Sequence, residues 1–285
     1  MWHERLNSAI DYIEKNLDGI IDFDVISKIM CQSTINFQRT FSIITDFSVF
    51  DYIRRRRLSL AAFELQNSNT KVIDIAIKYG YESPEAFSRA FKEVHGISPT
   101  IARKEGTELK TFPRITFLLT IKGDVAMDYR IESKEAFSVY GIERVISTKD
   151  NNEIPDFWME CAENGSLERL ANTTKVASCI NAICSYRETA EHSYPYMLFV
   201  PCSEDSDMTG YTKVNVPAAT WAVFKTEKHT QEQTSTILQS LIKRVYTEWL
   251  PTANYKKLDG YEMELYYQTE DGMFYCEEWI RVVKK

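Results

Sequence analysis

"VIDIAIKYGYESPEAFSRAFKEVHGISP", residues 72–99, holds two short helical patterns and the signals that separate them. Ile73, Ala76 and Ile77 recur at helical spacing, and Gly80 is suited to stopping that helix. After the turn "YES", Ser83 is a good N-cap and Pro84 suits the first helical position. Glu85 places negative charge near the helix start, where the macrodipole favours it. Phe87, Phe91 and Val94 form an i, i+4, i+7 apolar stripe, and Glu85, Ser88, Arg89 and Lys92 take the opposite face. Gly96 ends the second helix and Pro99 follows it. Two short helices, a tight turn and a polar outer face on the second helix make a helix-turn-helix, an outline that any helical hairpin shares.

A second copy separates the two readings. Aligning 24–48 with 74–98 gives seven identities, including Ser33/Ser83, Phe37/Phe87, Arg39/Arg89 and Phe41/Phe91. A repeat of this length is a repeated supersecondary unit. Ser33 is the first copy's N-cap, Phe37, Phe41 and Ile44 its stripe, and Gln38 and Arg39 face outward. Arg and Gln forks can read guanine and adenine edges in a major groove. Arg39 and Arg89 suit a phosphate contact or a solvent-facing charge as well. Among the positions that differ between the copies, Asp46 stands where the second has Gly96, Ser42 where it has Lys92, and Ile35 points outward. Ile35 suits a thymine methyl better than a hydrogen bond.

Between the copies, "FDYIRRRRLSLAAFELQNS" reads as a linking helix whose Ile53, Leu60, Ala61 and Leu65 face the two units. Arg54 to Arg57 span about one turn, so they cannot all meet one partner. One or two of them are phosphate candidates, and a solvated face is the plainer alternative.

These residues, "DYIRRRRL" and the 72–99 stretch above all, resemble the DNA-binding domain of the AraC/XylS family over roughly 3–105. The resemblance implies two reading heads in one chain, entering successive major grooves ~34 Å apart. It places Gln38 and Arg39 on the first recognition helix and Glu85 and Arg89 on the second. The candidate DNA contacts are then Ile35, Gln38, Arg39, Arg54, Arg57, Ser83, Glu85, Ser88, Arg89 and Lys92.

Beyond a linker at "RKEGTELKTFP", the texture changes to short alternating runs. "MDYRIESKEAFSVYGIERVIS" reads as two strands with a turn near Ser133–Lys134. "IPDFWMECAENGSLERLA" is a helix broken at Gly165, and "VASCINAICSYR" and "YPYMLFVPC" are two further strands. The order recurs: two strands about Pro217, an amphipathic helix in "TILQSLIKRVYTEWL", and a last hairpin around "EDG". The expected fold is an all-α double helix-turn-helix domain at 1–108, then an α+β domain at 112–285 with a duplicated antiparallel sheet-and-helix unit. In "YEMELYY", Glu262, Glu264 and Tyr266 share one strand face and Met263, Leu265 and Tyr267 the other. A carboxylate among aromatic rings can receive an apolar cation. From the pattern alone, an exposed acidic strand face is the plainer reading.

"VPAATWAVFK", "VYTEWLP", "YEMELYY" and "EEWIRV" are jointly similar to the GyrI-like effector-binding domain, and the domain order is similar to Rob-type regulators. The resemblance implies a pocket for small, often cationic and aromatic molecules, with Glu264 as the charge partner and Trp158 and Tyr266 as its aromatics. Trp221 is taken with them as a candidate ligand contact.

Composition excludes several classes. Net charge is −7, with 14 basic and 15 acidic residues in 1–109, so the acidity lies mostly beyond that point and a general polyanion binder is not expected. The six cysteines include no CxxC pair and the four histidines lie far apart, so no metal and no cofactor are expected. No apolar run could span a bilayer, and "MWHERLNSAIDYIEKNL" lacks a signal-peptide core, which reads as cytoplasmic. The leading expectation is a ligand-responsive transcription regulator that is not an enzyme, with double-stranded DNA, a small-molecule effector and RNA polymerase as partners and no membrane. The alternatives are a regulator whose C-terminal domain docks a protein, and a GyrI-like hydrolase with Glu264 as base.

Overall fold

In the computed structural model, which describes residues 2–118, 126–150, 152–174 and 179–285, the second helix of each repeat copy begins at its serine cap. α1 (Trp2–Lys15), α2 (Phe23–Met30), α3 (Thr34–Thr45), α4 (Val49–Asn67), α5 (Val72–Lys78), α6 (Pro84–His95) and α7 (Pro99–Ala102) succeed one another. Ser83 Oγ accepts the Ala86 amide at 3.1 Å, and Ser33 Oγ accepts that of Asn36 at 3.2 Å. Both helices of the repeat end on a left-handed residue: Gly96 at φ 81°, where glycine has no Cβ to clash, and Asp46 at φ 65°. Phe37, Phe41, Phe87 and Phe91 are all fully buried. α5 and α6 pack on α4 through Leu58, Ala61, Leu65, Ile75, Ala76 and Phe87.

The phase of α5 differs from expectation. Ile75, Ala76 and Tyr79 are its buried face, while Ile73 and Ile77 are 45% and 63% exposed. The helix packs along the 75/79 row, and residues 73 and 77 lie on an adjacent row that turns outward.

The chain forms two compact units, Met1–Phe37 with Phe47–Leu119 and Gln38–Asp46 with Thr120–Lys285, so most of α3 belongs to the second. No described helix is long and apolar enough to cross a membrane.

The second unit carries an eight-stranded antiparallel sheet. Its elements are β1 (Tyr129–Lys134), β2 (Phe137–Ser147), α8 (Glu153–Glu163), α9 (Ser166–Ala171), β3 (Asn181–Cys184) and β4 (Ser193–Pro201), then β5 (Thr212–Val216), β6 (Ala219–Lys225), α10 (Thr234–Arg244), β7 (Tyr255–Gln268) and β8 (Phe274–Lys284). The expected break at Gly165 separates α8 from α9. The strand expected over 176–187 is β3, and its positions 176–178 lie outside the described residues. The strand order is β1-β6-β8-β7-β3-β4-β2-β5. Each half is therefore strand-strand-helix-strand-strand, with one exchange: β1 pairs with β6 of the second half and β5 with β2 of the first. At Gly141 on β2 an added Cβ would sit 1.9 Å from the Leu198 carbonyl oxygen, so only glycine allows that strand approach.

The two sheet faces have different covers. One gathers Val139, Met197, Phe199, Trp221, Met263 and Trp279 into an apolar core. On the other, α9 covers Tyr140 and Val200 through Leu170, and α10 covers Phe224 and Ile280 through Leu241. Strand alternation puts Glu262, Glu264, Tyr266 and Glu278 on this helix-bearing face.

Candidate effector cavity and DNA-facing residues

Residues from α3, α8, α10 and the central strands enclose a cavity of about 750 Å³ within the second unit. Glu264 stands on its floor and accepts the Tyr266 hydroxyl at 2.7 Å and the Tyr196 hydroxyl at 3.3 Å. The Trp158 indole N–H donates to the Tyr196 hydroxyl at 3.0 Å, and its ring meets Tyr266 edge-on at 5.5 Å. Glu264, Trp158 and Tyr266 thus come together as one carboxylate among aromatic rings. Burial raises the Glu264 carboxyl, opposed by its two tyrosine donors and Arg39, while Glu262 adds to the rise.

Trp221 is a correction. It is fully buried in the opposite face of the sheet, against Trp279, and its indole N–H has no partner among the described residues. On β6 it is Ala222 and Phe224 that face the helices. Alternation sends Trp221 the other way, into the core rather than the cavity.

Two further carboxylates line the cavity. Glu262 is one face-mate of Glu264 along β7, and Glu278 is its direct partner across β8. Glu262 accepts both guanidinium nitrogens of Arg39, at 2.9 and 3.0 Å, and the Lys257 ammonium at 2.6 Å. Arg39 also donates to Ser185 Oγ at 3.1 Å and lies 4.8 Å from the Tyr194 ring centroid. A bidentate, stacked guanidinium of this kind is among the stronger polar contacts. Burial pushes Glu262 up, but Arg39 and Lys257 outweigh it and hold the carboxyl at about 2. A bulge brings Lys257 there: from Lys257 to Glu262 the chain of β7 turns through Gly260 and Tyr261, both at positive φ, before pairing resumes opposite Ile280. Burial drives Glu278 up as well, with Glu264 and Glu262 adding to it.

The outward face of α3 is the second correction. Gln38 is fully buried, donating to His192 Nδ1 at 2.8 Å and accepting the Thr148 hydroxyl at 2.6 Å. The Arg39 side chain is 14% exposed. Asp46, at the end of α3, takes the Lys243 ammonium at 2.6 Å. The two side chains expected to read bases are thus spent on buried partners in this structure, and Ile35 is half-buried. On α6, by contrast, Glu85, Arg89 and Lys92 are exposed and Ser88 is half-buried, while Ser83 is occupied as the cap.

The linking helix also departs from expectation. Arg57 is held inward, donating to the carbonyls of Leu17 at 2.8 Å and Gly19 at 2.7 Å. Arg54 stays half-exposed between Asp51 and Glu93, each at 3.0 Å. Arg56 turns to Glu14. Sequence reasoning missed Lys257, Tyr196 and Glu278. For Glu278 a signal was available: alternation in "EEWIRV" must send Glu277 and Glu278 to opposite faces of a central strand.

Known proteins share both parts of this architecture. Residues 130–282 match the family described as integron-associated effector binding protein, and residues 26–105 match a helix-turn-helix domain family. The HTH-type transcriptional activator AarP of Providencia stuartii is 38% identical over 102 residues, 36% of this chain and 76% of that protein. The regulatory protein SoxS of Escherichia coli K12 is 36% identical over 101 residues, 35% of this chain and 94% of that protein. The right origin-binding protein of the same strain is 24% identical over 275 residues, 94% of this chain and 91% of that protein.

Proposed function

The chain belongs to the integron-associated effector-binding protein family and to the AraC-type helix-turn-helix regulators, and we propose that a cationic aromatic molecule in its cavity controls whether Arg39 and Gln38 can reach DNA. It is a DNA-binding transcription regulator with an effector-binding domain. In the proposal 1–108 is the DNA-binding part and 112–285 the effector-binding part, working in the cytoplasm.

One observation carries the reading: Arg39, a residue of the first recognition helix by its repeat position, is bidentate with Glu262 in the wall of the cavity. The bound guanidinium reports the chemistry the wall accepts, a planar cation against a carboxylate and a tyrosine face. An effector cation that fills the cavity competes with Arg39 for this wall. An effector can shift an equilibrium only by its difference in affinity for the two states, and sharing of the wall supplies that difference. On α6, Glu85, Ser88, Arg89 and Lys92 serve as the second head, with Arg54 beside them on the backbone. AarP is an activator by name; carried over to this chain, that makes RNA polymerase the protein partner.

The cavity suits binding rather than hydrolysis. Glu264 is engaged by two tyrosine hydroxyls. Cys184, the thiol in the wall, is pushed up to about 12 by burial and stays protonated, a poor nucleophile.

The test uses a duplex that the protein itself selects from a random pool, with affinity followed by fluorescence anisotropy. Saturating tetraphenylphosphonium is expected to tighten binding by about 5- to 150-fold, the usual range for coupled sites. Unchanged affinity with the cation demonstrably bound would remove the coupling.

A further inference from the structure

The apolar face of the sheet, with Val139, Trp221, Met263 and Trp279, is buried without a helix among its packing partners. The strand pairing explains this. Lys134 pairs with Ala219 and Phe137 with Val216, three residues on in one chain segment and three back in the other. The register runs through without a shift, so β1 continues into β2, and β5 into β6, as one bent two-stranded ribbon. β6 also pairs with β8, and β2 with β4. The ladder therefore returns to its start, and the sheet closes into a barrel around this face.

A cavity of about 250 Å³ opens at one mouth of the barrel, where β4 and β7 end and β2 and β3 begin. Phe137, Val139, Phe199, Met263, Leu265 and Tyr267 line it. Among the described residues only Tyr266 borders both this cavity and the larger one, and its hydroxyl is turned to Glu264. Barrel mouths are preferred places for small ligands. An apolar cavity of roughly 150 Å³ admits benzene. The mouth thus has room for one substituted ring, and tetraphenylphosphonium, with its four rings, is too large for it.

The polar groups at this mouth select for negative charge. Lys134 lines the cavity, with its ammonium 4.8 Å from the Phe137 ring centre and 5.1 Å from that of Trp279. Lys225 lies 4.0 Å over Tyr275, which stacks on Tyr267 at 4.7 Å. Among the described residues neither ammonium is paired with a carboxylate, although acids outnumber bases in this half of the chain. Glu132 and Glu277 are both held by Arg130, at 3.0 and 2.6 Å. Asn181, also in the lining, accepts the Tyr266 amide at 2.9 Å through Oδ1. Its Nδ2 reaches the Cys179 carbonyl at 3.4 Å, which leaves one N–H to donate. An anion reaching Lys134 gains a charge-assisted hydrogen bond, and a ring beside Phe137 and Tyr267 gains offset or edge-on contacts.

We propose that the barrel mouth is a second small-molecule site, and that it takes a single-ring aromatic carboxylate. The ring enters among Phe137, Phe199 and Tyr267, and the carboxylate accepts from Lys134, with the Asn181 amide as a further donor. The site is independent of the effector reading, because it uses neither Glu264 nor the wall that holds Arg39.

Calorimetric titration of benzoate into the full chain tests this. One benzoate per chain is expected, with benzamide, the same ring without the charge, bound about tenfold more weakly. Cyclohexanecarboxylate, the same charge without the aromatic face, is expected to bind a few-fold more weakly. Lys134→Gln should weaken benzoate by about tenfold and leave the affinity for tetraphenylphosphonium unchanged. Lys134 is exposed, so the substitution leaves the core untouched. Benzoate that binds Lys134→Gln as tightly as the wild type, or that tetraphenylphosphonium displaces, lies elsewhere and overturns the proposal. No binding of millimolar benzoate, by heat or by broadening of its NMR signals, overturns it as well. Either failure leaves the effector reading standing.

Discussion

α3 and α6 are built alike and used differently. Each has a serine cap, two buried phenylalanines and an arginine at the same repeat position. Arg89 is exposed, whereas Arg39 is held by Glu262, a residue 223 positions along the chain. Local pattern sets the helix and its buried stripe, and distant residues decide whether the outward face is free. Repeat position therefore assigns a scaffold more securely than it assigns an availability.

Changes to the shared scaffold should be the most severe and should not discriminate between the copies. Phe91→Ala and Phe41→Ala are each expected to lose about 3–5 kcal/mol in urea unfolding, the range for a buried phenylalanine. A loss at one and none at the other would break the equivalence of the stripes.

The next effect separates the copies by pH. Glu262 is depressed from 4.5 to about 2, so its contribution is complete above 4.5 and is lost as pH falls from there towards 2. Acid unfolding of the wild type should steepen across this window, and Glu262→Gln should lack that steepening. Curves that coincide below pH 4.5 would show that the Arg39 pair adds nothing to stability.

DNA binding gives a third contrast. Arg89→Ala should weaken DNA binding by about 1–3 kcal/mol with or without effector and relax one base position. Arg39→Ala should do so only when tetraphenylphosphonium is present. Equal losses from both in effector-free protein would mean that α3 is already free in solution. Smallest of all, Ser83→Ala should cost about 1 kcal/mol in thermal stability through the lost cap.

Much of this was legible in the sequence. The repeat, the caps at Ser33 and Ser83 and the left-handed Asp46 follow from local chemistry and appear in the fold. The α+β half, its break at Gly165 and its final hairpin follow from period and turn residues. The exchange of β1 and β5 did not, because strands adjacent in sequence are expected to pair. Trp221 failed for a related reason: a strand has two apolar faces here, so alternation alone could not say which one met the cavity. The faces of α5 were misassigned because Ile73, Ile75 and Ile77 are equally apolar, and only packing on α4 selects Ile75. The Arg39–Glu262 pair depends on contact between distant residues and on the bulge that delivers Lys257, which periodicity does not report.

The claim that the cavity and the first reading head share Arg39 is tested most directly by one pair of titrations. Duplex affinity of the wild type and of Glu262→Gln is measured with and without saturating tetraphenylphosphonium. The account predicts a wild type that tightens on adding the cation, and a variant that binds tightly from the start and responds little. A variant that matches the effector-free wild type and tightens as much on adding the cation would contradict it.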